Sequence, residues 1–339
     1  MDKYTIIDHP TSGMWEKFLQ DYTLGNLQQS FEYGEAIKES NPHAKILRFL
    51  AINDDNLAGL IQARYNKRFG FGDRTEVGGV YGYGPVVGTD NRKEVLEKLM
   101  GLLEKHAIQN RVSEANIYAP ETNQTLENMG YTVNTVFNVY KVDLRKSETE
   151  LWKTITHNKR RNIKKAQKQG AKVVQCNNYD ALASFFELHA ISAKRVGFKT
   201  YPFIYFQSLS KIFGKRNNLK IFLTVFEGQP VAGVFVVLHG KTAYALGTGS
   251  REESWHVRPN DLLHWETMKW ACNNGFSWYH MGHVREPLPN ENSEGWGLWR
   301  WKREWKGQLN KVYLYNKVYM PKFNKFVLSL CEKFLAVFL

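Results

Sequence analysis

The chain has 339 residues, 43% of them apolar or aromatic, which excludes wholesale disorder and is enough for two ordinary domains. Its 46 basic residues outnumber 33 acidic ones, giving a formal charge of +13. This excess favours a polyanionic partner such as nucleic acid, a nucleotide-linked substrate or an anionic membrane, with a charge that serves only solubility as the alternative.

Cysteine usage and the start of the chain both predict a cytoplasmic protein. The three cysteines are scattered, with neither metal-ligand spacing nor a disulfide framework: Cys176, Cys272 and Cys331. The segment Met1–Thr11 has no apolar core of the kind that a signal peptide needs, and no stretch approaches the length of a membrane span.

In chain order, the first half predicts helices and strands in alternation. Helices are expected at Trp15–Leu19, Phe31–Glu39, Arg92–Gln109 and Thr122–Met129. Strands are expected at Ile46–Asn53, Leu57–Tyr65, Ala115–Ala119 and Tyr131–Leu144, the first two forming a hairpin.

The second half repeats that order. Strands are expected at Phe222–Glu227, Val231–Leu238, Thr242–Gly247, Ser277–Met281 and Gln308–Tyr315, with a helix at Asp261–Asn273. Leu57-Ala58-Gly59-Leu60 and Val231-Ala232-Gly233-Val234 stand at corresponding points of the two halves. The pattern predicts a duplicated mixed α/β fold with domains at 1–147 and 148–320 and a C-terminal amphipathic helix at 321–339.

The most basic segment lies between the two halves and predicts a helix with a cationic stripe. Arg161, Lys164, Lys165 and Lys168 follow helical spacing, and Lys159 and Arg160 precede them. Such a stripe suits the phosphates of RNA or of a diphosphate-linked substrate; a solvated helix face is an equal alternative.

A tryptophan-rich segment near the end of the second half surrounds one lysine. Leu298, Trp301 and Trp305 fall on one expected helical face, with Lys302 beside it. An ammonium held against aromatic side chains is partly desolvated, which strengthens its attraction for an oxyanion. A basic amphipathic helix with tryptophans in the core is the alternative.

The tail after Pro321 carries a stripe of phenylalanine and leucine opposite lysines. We expect this predicted helix to pack back on the protein, with peripheral membrane contact as the alternative. No Ser-His-Asp arrangement, phosphate-binding glycine loop or metal-ligand spacing is evident, so a site here would act by positioning and electrostatics.

Several segments resemble the Fem-type aminoacyltransferases, which extend peptidoglycan stem peptides with amino acids carried on tRNA and consist of two GNAT-like domains. The likeness is carried by 157–166 (His-Asn-Lys-Arg-Arg-Asn-Ile-Lys-Lys-Ala), by Tyr205-Phe206-Gln207 after 194–198, by 228–233 with 247–250, and by Trp301-Lys302 with Trp305 and Gly307. Gly84-Pro85-Val86 matches the family's glycine-proline turn. No long helical insertion is evident in the second half, which points to the compact, arm-less branch.

The resemblance implies roles for single residues. Lys302 matches the lysine that steadies the oxyanion, with Trp301 as its aromatic neighbour; Lys38 and Tyr205 match acceptor-side residues. Two departures alter the acceptor site: Tyr201 stands in place of an acceptor-binding arginine, and Ala119 replaces an acidic residue, with Glu121 close by.

These matches predict a monomeric cytoplasmic enzyme, either free or peripheral to a membrane, without metal or cofactor. Its donor would be aminoacyl-tRNA and its acceptor a cell-wall precursor amine. The first alternative is an acyl-CoA-dependent N-acyltransferase acting on an amino sugar or another surface-polysaccharide amine, although the turns at 88–91 and 256–260 fit a pyrophosphate-binding loop poorly. A non-catalytic RNA- or membrane-binding module is the second.

Overall fold

The computed structural model describes residues 3–23, 25–54, 56–67, 73–88 and 92–319. Two compact units divide the chain: one runs to Phe137 and resumes at Lys311, and the other spans Asn138–Asn310. The predicted C-terminal helix lies outside the described residues.

The first unit is built on one mixed sheet with helices. Its strands are β1 (Thr5–Ile7), β2 (Ala44–Asn53), β3 (Asn56–Asn66), β4 (Arg74–Val77), β5 (Val86–Val87), β6 (Glu114–Ala119) and the start of β7 (Thr132–Asp143). Its helices are α1 (Ser12–Tyr22), α2 (Phe31–Ser40), α3 (Arg92–Gln109) and α4 (Gln124–Asn128). Along the sheet β1, β2, β3, β4 and β6 are neighbours in that order, and β4 runs parallel to β6.

The second unit contains a run of paired strands that begins with the end of β7. Its further strands are β8 (Lys172–Cys176), β9 (Leu219–Phe226), β10 (Gln229–His239), β11 (Thr242–Ser250) and β12 (Trp278–Arg285). Its helices are α5 (Glu148–Thr154), α6 (His157–Lys168), α7 (Tyr179–Val196), α8 (Phe203–Gly214), α9 (Pro259–Asn273) and α10 (Trp296–Arg303). The strand order is β7-β12-β11-β10-β9-β8, and β11 and β12 are parallel.

Alternation along β10 shows how this sheet is covered on both faces. Val234 and Val236 join the core that contains Leu262 and Met268 of α9, whereas Phe235 between them stacks on Phe185 of α7. Successive strand residues point to opposite faces, so a continuous apolar run is what a doubly covered strand requires.

The approach of α7 to β11 depends on one glycine. A Cβ added to Gly249 would lie 2.2 Å from the carbonyl carbon of Leu188 and 2.3 Å from the backbone nitrogen of His189. Because backbone atoms cannot move aside as a flexible side chain can, any larger residue would push the helix off the sheet.

The domain boundaries differ from those predicted at 147 and 320. β7 begins in the first unit and ends in the second, while the last strand, β13 (Gln308–Val318), begins in the second unit and pairs with β6 of the first through Tyr313 and Ala119. Ser147 instead caps α5 within the second unit. The predicted boundaries differ because each unit is defined by which strands pair with one another, and the chain passes from one unit to the other within β7 and β13.

The internal repeat has a structural counterpart. β2–β3 and β9–β10 are antiparallel hairpins, and each register shift falls within the repeated tetrapeptide, at Ala58 in one and at Val231 in the other. A bulge adds one unpaired residue and increases the local twist. Ala58 is the second residue of its tetrapeptide and Val231 the first, so the two hairpins share the bulge to within one position.

Candidate active site

The tryptophan-rich segment folds as a short helix followed by a tight turn. Gly295 begins α10 with φ of +84°, and the helix ends at Arg303. The expected face of Leu298, Trp301 and Trp305 is not formed, because Trp305 lies beyond the helix end and Leu298 is 53% exposed. Trp299 and Lys302, one turn apart, are the residues of α10 that become buried.

Gly307 fixes the turn that follows. A Cβ there would lie 2.6 Å from the carbonyl oxygen of Lys141, and the Gly307 backbone N–H donates to the Tyr140 hydroxyl at 2.7 Å. Lys306 takes φ of +55°, a left-handed conformation that costs a non-glycine residue energy. The close packing of Gly307 on β7 therefore holds the end of the α10 segment.

Lys302 is buried as a lone cation. Its side chain is 5% exposed, and its Nζ donates a hydrogen bond to the backbone oxygen of His283, on β12, at 3.1 Å. Burial lowers the pKa of Lys302 to about 8. Among the described side chains, none provides a carboxylate in an ion pair with it, so the charge is left uncompensated within a desolvated site.

The lysine enclosed by tryptophan rings is Lys159, which corrects the predicted niche for Lys302. The Nζ of Lys159 lies 4.4 Å from the centre of the Trp301 ring and 5.0 Å from that of Trp305. It also pairs with Asp261 Oδ1 at 2.6 Å and Glu304 Oε2 at 3.3 Å.

The sequence predicted that Lys159 binds phosphate. The structure corrects this prediction. Its side chain is fully buried and its ammonium is already occupied by two carboxylates. Burial lowers the pKa of Lys159, and the charges of Asp261 and Glu304 oppose that shift. Satisfied ion pairs of this kind hold structure together and are not available to a ligand.

Asp261 is the centre of this buried network. Its Oδ1 accepts hydrogen bonds from the Lys159 ammonium and from Trp301 Nε1, each at 2.6 Å, while Oδ2 accepts from Asn162 Nδ2 at 2.8 Å. The carboxylate thus ties α6 and α10 to the first turn of α9. It places Trp301, the residue before Lys302, through a direct hydrogen bond.

His264 lies one turn after Asp261 and is neutral at physiological pH. Burial, assisted by the positive charges of Lys159 and Lys302, lowers its pKa to about 3. One ring nitrogen is hydrogen-bonded to the Tyr279 hydroxyl at 2.8 Å, and the ring meets Trp301 edge to face. The imidazole contributes packing and a fixed dipole without adding charge.

The exposed part of α6 is a cationic surface. We call Arg161, Lys164, Lys165 and Lys168 the α6 stripe; all four side chains are exposed, as the predicted helical face requires. Arg160 does not belong to it, since its Nη1 donates to the carbonyl oxygens of Trp152, Lys153 and Ile155 at the end of α5. That correction leaves four of the six predicted phosphate-binding residues on the surface.

Two of the acceptor-side residues lie together in the second unit. Tyr205, at the start of α8, is buried, and Tyr201 stacks on it with ring centres 4.3 Å apart while 53% of Tyr201 is exposed. This aromatic pair, of which Tyr201 is the exposed member, is where the resemblance places acceptor binding.

The other two lie in the first unit. Lys38 is exposed in the last turn of α2, next to Ile37, which lines a cleft with Tyr33, Gln62 and Arg64. Glu121 is a surface residue in an ion pair with Arg92 at 2.9 Å.

Sequence reasoning missed the residues that organise the site: Asp261, His264 and Glu304. Asp261 and His264 were predicted to be helical, and their spacing of one turn puts them on one face with apolar neighbours. A charged residue on an apolar helix face signals a buried partner, but the partner, Lys159, lies far away in sequence.

The described ranges contain no cluster of three or more His, Cys, Asp or Glu side chains suited to a metal ion. Within the same ranges, every helix is too short or too polar to cross a bilayer.

Comparisons with known proteins identify the class first. The model of the family "Acetyltransferase (GNAT) domain" matches residues 155–303. The structure entitled "Crystal structure of FemX" has a TM-score of 0.79 at 17% sequence identity and covers 95% of this chain and 99% of that one. A tandem GNAT protein from the clavulanic acid biosynthesis pathway has a TM-score of 0.60 at 11% identity, covering 93% of this chain and 98% of that one. The fold is thus that of tandem GNAT-like domains, as predicted.

Sequence relatives narrow the class. A lipid II:glycine glycyltransferase of Staphylococcus haemolyticus is 22% identical over 224 residues, which are 47% of this chain and 53% of the relative. The protein of the same name from Staphylococcus epidermidis is 28% identical over 138 residues, or 39% of this chain and 32% of the relative. The chain therefore spans about half or less of the length of these relatives. These relatives and the fold together confirm the predicted resemblance to the Fem-type family.

We expect Lys159→Met to lower the free energy of unfolding by about 3 kcal/mol, because it leaves Asp261 buried without its cation. Urea denaturation at pH 7 measures the change. Lys164→Met, a substitution of the same type on the exposed face of α6, should change stability by less than about 0.5 kcal/mol. Equal losses in the two variants would contradict a buried ion pair at Lys159.

We expect Lys302→Met to stabilise the protein at pH 7 by up to about 3 kcal/mol, because it removes an unpaired buried charge. The pKa of Lys302 in the folded protein, about 8, lies below the ordinary value of 10.5. The unfolded chain therefore binds more protons between these values, so this group makes stability rise with pH through that window. The difference in unfolding free energy between wild type and variant should shrink from pH 8 to pH 10.5; a constant difference would contradict the shifted pKa.

Proposed function

We propose that the chain is an aminoacyltransferase that moves an amino acid from aminoacyl-tRNA to a primary amine of a peptidoglycan precursor. The observation that carries the proposal is the buried, uncompensated charge of Lys302 on α10. The Fem-type relatives, whose names describe glycyl transfer to lipid II, supply the substrate classes.

The proposed reaction requires stabilisation of a negative oxygen. The acceptor amine attacks the ester carbonyl carbon of the aminoacyl-tRNA, a C–N bond forms and the carbonyl oxygen becomes an oxyanion. The bond to the tRNA ribose oxygen then breaks, and the proton lost by the amine is taken up by that oxygen to give the ribose hydroxyl. A fixed cation near the oxyanion stabilises this intermediate more than the neutral ester, which lowers the barrier.

Lys302 meets the electrostatic conditions for that role. A carboxylate partner would offset its charge, as Asp261 and Glu304 do for Lys159, and water would screen it. Neither applies at Lys302, whose ammonium is buried and held by the His283 carbonyl. The Asp261–Trp301 hydrogen bond fixes the adjoining residue, so the cation is positioned before substrate arrives.

The α6 stripe supports tRNA as the donor. Its four exposed cations follow one face of a helix, the arrangement that suits successive phosphates of a nucleic-acid backbone. We place the tRNA on this surface, with Lys302 as the catalytic cation and Lys38, Tyr201 and Tyr205 on the acceptor side. Glu121 is retained as an acceptor-side candidate on the resemblance alone.

Acyl-CoA is the second candidate donor, because the matching family model is that of an acetyltransferase domain. A coenzyme A pyrophosphate would need free backbone N–H groups at the start of α9. Pro259 has no N–H, and the N–H of Asp261 is bonded to the Arg258 carbonyl oxygen. These features disfavour a pyrophosphate there and favour aminoacyl-tRNA.

We expect Lys302→Met to reduce kcat by at least about 100-fold with charged tRNA and a cell-wall precursor, because the oxyanion loses its cation. In the wild type, kcat/KM should fall as pH rises through about 8, where Lys302 loses its proton. Arg300→Met, an exposed substitution on the same helix, is the control for loss of charge. The acylated product is quantified by mass spectrometry, with charged tRNA and acyl-CoA supplied in separate reactions. This measurement tests both the role of Lys302 and the identity of the donor.

Turnover by Lys302→Met at the wild-type rate would remove this lysine from the mechanism. Product formed from acyl-CoA and none from charged tRNA would replace the proposed donor by the second candidate.

We expect Lys164→Gln/Lys165→Gln/Lys168→Gln to weaken tRNA binding by at least about tenfold and to lower the slope of log K against log salt by about 2 to 3. The matched control Lys17→Gln/Lys93→Gln/Lys105→Gln removes three exposed lysines from the first unit. Filter binding at several salt concentrations measures both effects. Equal weakening in both triple variants would show that overall charge, and not the α6 stripe, attracts the tRNA.

A further inference from the structure

The turn between α7 and α8 exposes large apolar side chains. We call residues 196–204 the docking segment; in it Val196 is 52%, Phe198 46%, Tyr201 53% and Ile204 43% exposed. Single exposed apolar residues are ordinary, but several in one short segment mark a surface that meets a partner or a membrane.

Packing on both flanking helices holds the docking segment in place. Gly197, with φ of +78°, caps the end of α7, and its backbone N–H donates to the Ala193 carbonyl oxygen. Phe198 then contacts the His189 ring, with ring centres 5.7 Å apart, and Phe203 packs on Phe186 at 5.1 Å. The exposed side chains are therefore presented by an anchored turn, which lowers the entropy lost on docking.

The charges in the docking segment and the two residues before it are all of one sign. From Lys194 to Ile204 the chain contains three basic residues and no acidic one. Arg195 stacks on the Trp255 ring at 4.6 Å and donates to the Ser250 carbonyl oxygen, so its cation is fixed beside a further exposed aromatic residue. Lys194 and Lys199 are exposed on either side of Val196 and Phe198.

The alternation of lysines with apolar side chains indicates whether this surface binds a protein or a bilayer. Protein interfaces are depleted of lysine, because burying its ammonium is costly. A bilayer surface suits both kinds of residue, since apolar side chains enter between the head groups while lysines contact the lipid phosphates. The complement of this surface is therefore an anionic phospholipid bilayer.

We propose that the docking segment binds an anionic phospholipid bilayer, with Val196, Phe198 and Ile204 entering the interface and Lys194 and Lys199 contacting lipid phosphates. This inference rests on the proposed function in one respect: Tyr201 and Tyr205, the acceptor-side pair, then stand at the membrane surface. A lipid-linked precursor, the acceptor that the name of the lipid II:glycine glycyltransferases describes, would then meet the enzyme at that surface.

Vesicle co-sedimentation of the full chain tests the docking directly. Vesicles containing phosphatidylglycerol should bind the wild type at least about tenfold more strongly than vesicles of phosphatidylcholine alone, and salt should weaken the binding. Phe198→Ser/Ile204→Ser should reduce binding to the anionic vesicles at least about tenfold. The control Ile108→Ser/Val133→Ser removes two apolar side chains that are 70% and 42% exposed in the first unit, and should bind like the wild type.

Thermal unfolding of both double variants checks that each is folded. Equal binding by wild type and Phe198→Ser/Ile204→Ser would overturn the proposal, as would equal loss in the control. A wild type that binds neither vesicle would also overturn it and would point to a protein partner for this surface.

Transfer assays separate this inference from the proposed function. With charged tRNA as donor, Phe198→Ser/Ile204→Ser should keep wild-type turnover on a water-soluble acceptor peptide and lose at least about tenfold on a lipid-linked acceptor in anionic vesicles. Equal turnover on the lipid-linked acceptor would overturn the link to the acceptor. Absence of transfer by the wild type to either acceptor would instead overturn the proposed function, while vesicle binding would still decide the docking.

Discussion

The need to compensate one fully buried positive charge organises the second unit. Lys159 of α6 lies against Trp301 and Trp305 and pairs with Asp261 of α9 and Glu304, just after α10. Removing an ammonium from water costs several kcal/mol, and only a complete set of partners repays it. The partners come from segments far apart in sequence, so the charge is satisfied only when those segments have their native positions. The arrangement of α6, α9 and the tryptophan-rich segment therefore depends on the ammonium of Lys159.

Two buried lysines in this unit have opposite electrostatic settings. Lys159 has two carboxylates and two aromatic rings around its ammonium, which makes it a structural residue. Lys302 has a backbone carbonyl as its hydrogen-bond acceptor, and its pKa is lowered to about 8 by burial. A charge left without compensation costs stability but can act on a substrate, which is the usual relation between stability and function at active sites. The ring of His264 is neutral because it is buried and because a charged imidazole would be repelled by both cations.

Much of the fold could be predicted from local pattern. Arg92–Gln109 forms a helix with the predicted bounds, and the β2–β3 and β9–β10 hairpins form where alternation and turn residues indicated them. Helices α7 and α8 were not predicted, although Asn178 and Gly197 cap α7 in the ordinary way. In the site, the burial of Lys302 agrees with the position predicted for it, but its aromatic neighbours were assigned wrongly. Helical spacing cannot show that α10 stops at Arg303, because the stop is imposed by the contact of Gly307 with β7.

The sequence by itself determined the class of fold, the duplication, the cationic face of α6 and the Fem-type resemblance, because each is written in residues that are neighbours along the chain or repeat at a fixed spacing. Tertiary structure alone decided which lysine lies between the tryptophans, where the chain changes units, and that Asp261 and Glu304 complete the network. Those facts depend on residues that meet only after folding, such as Lys159 with Asp261 or Tyr313 with Ala119. Spacing along a helix or strand carries no information about partners on another element, and burial of charge is decided by such partners.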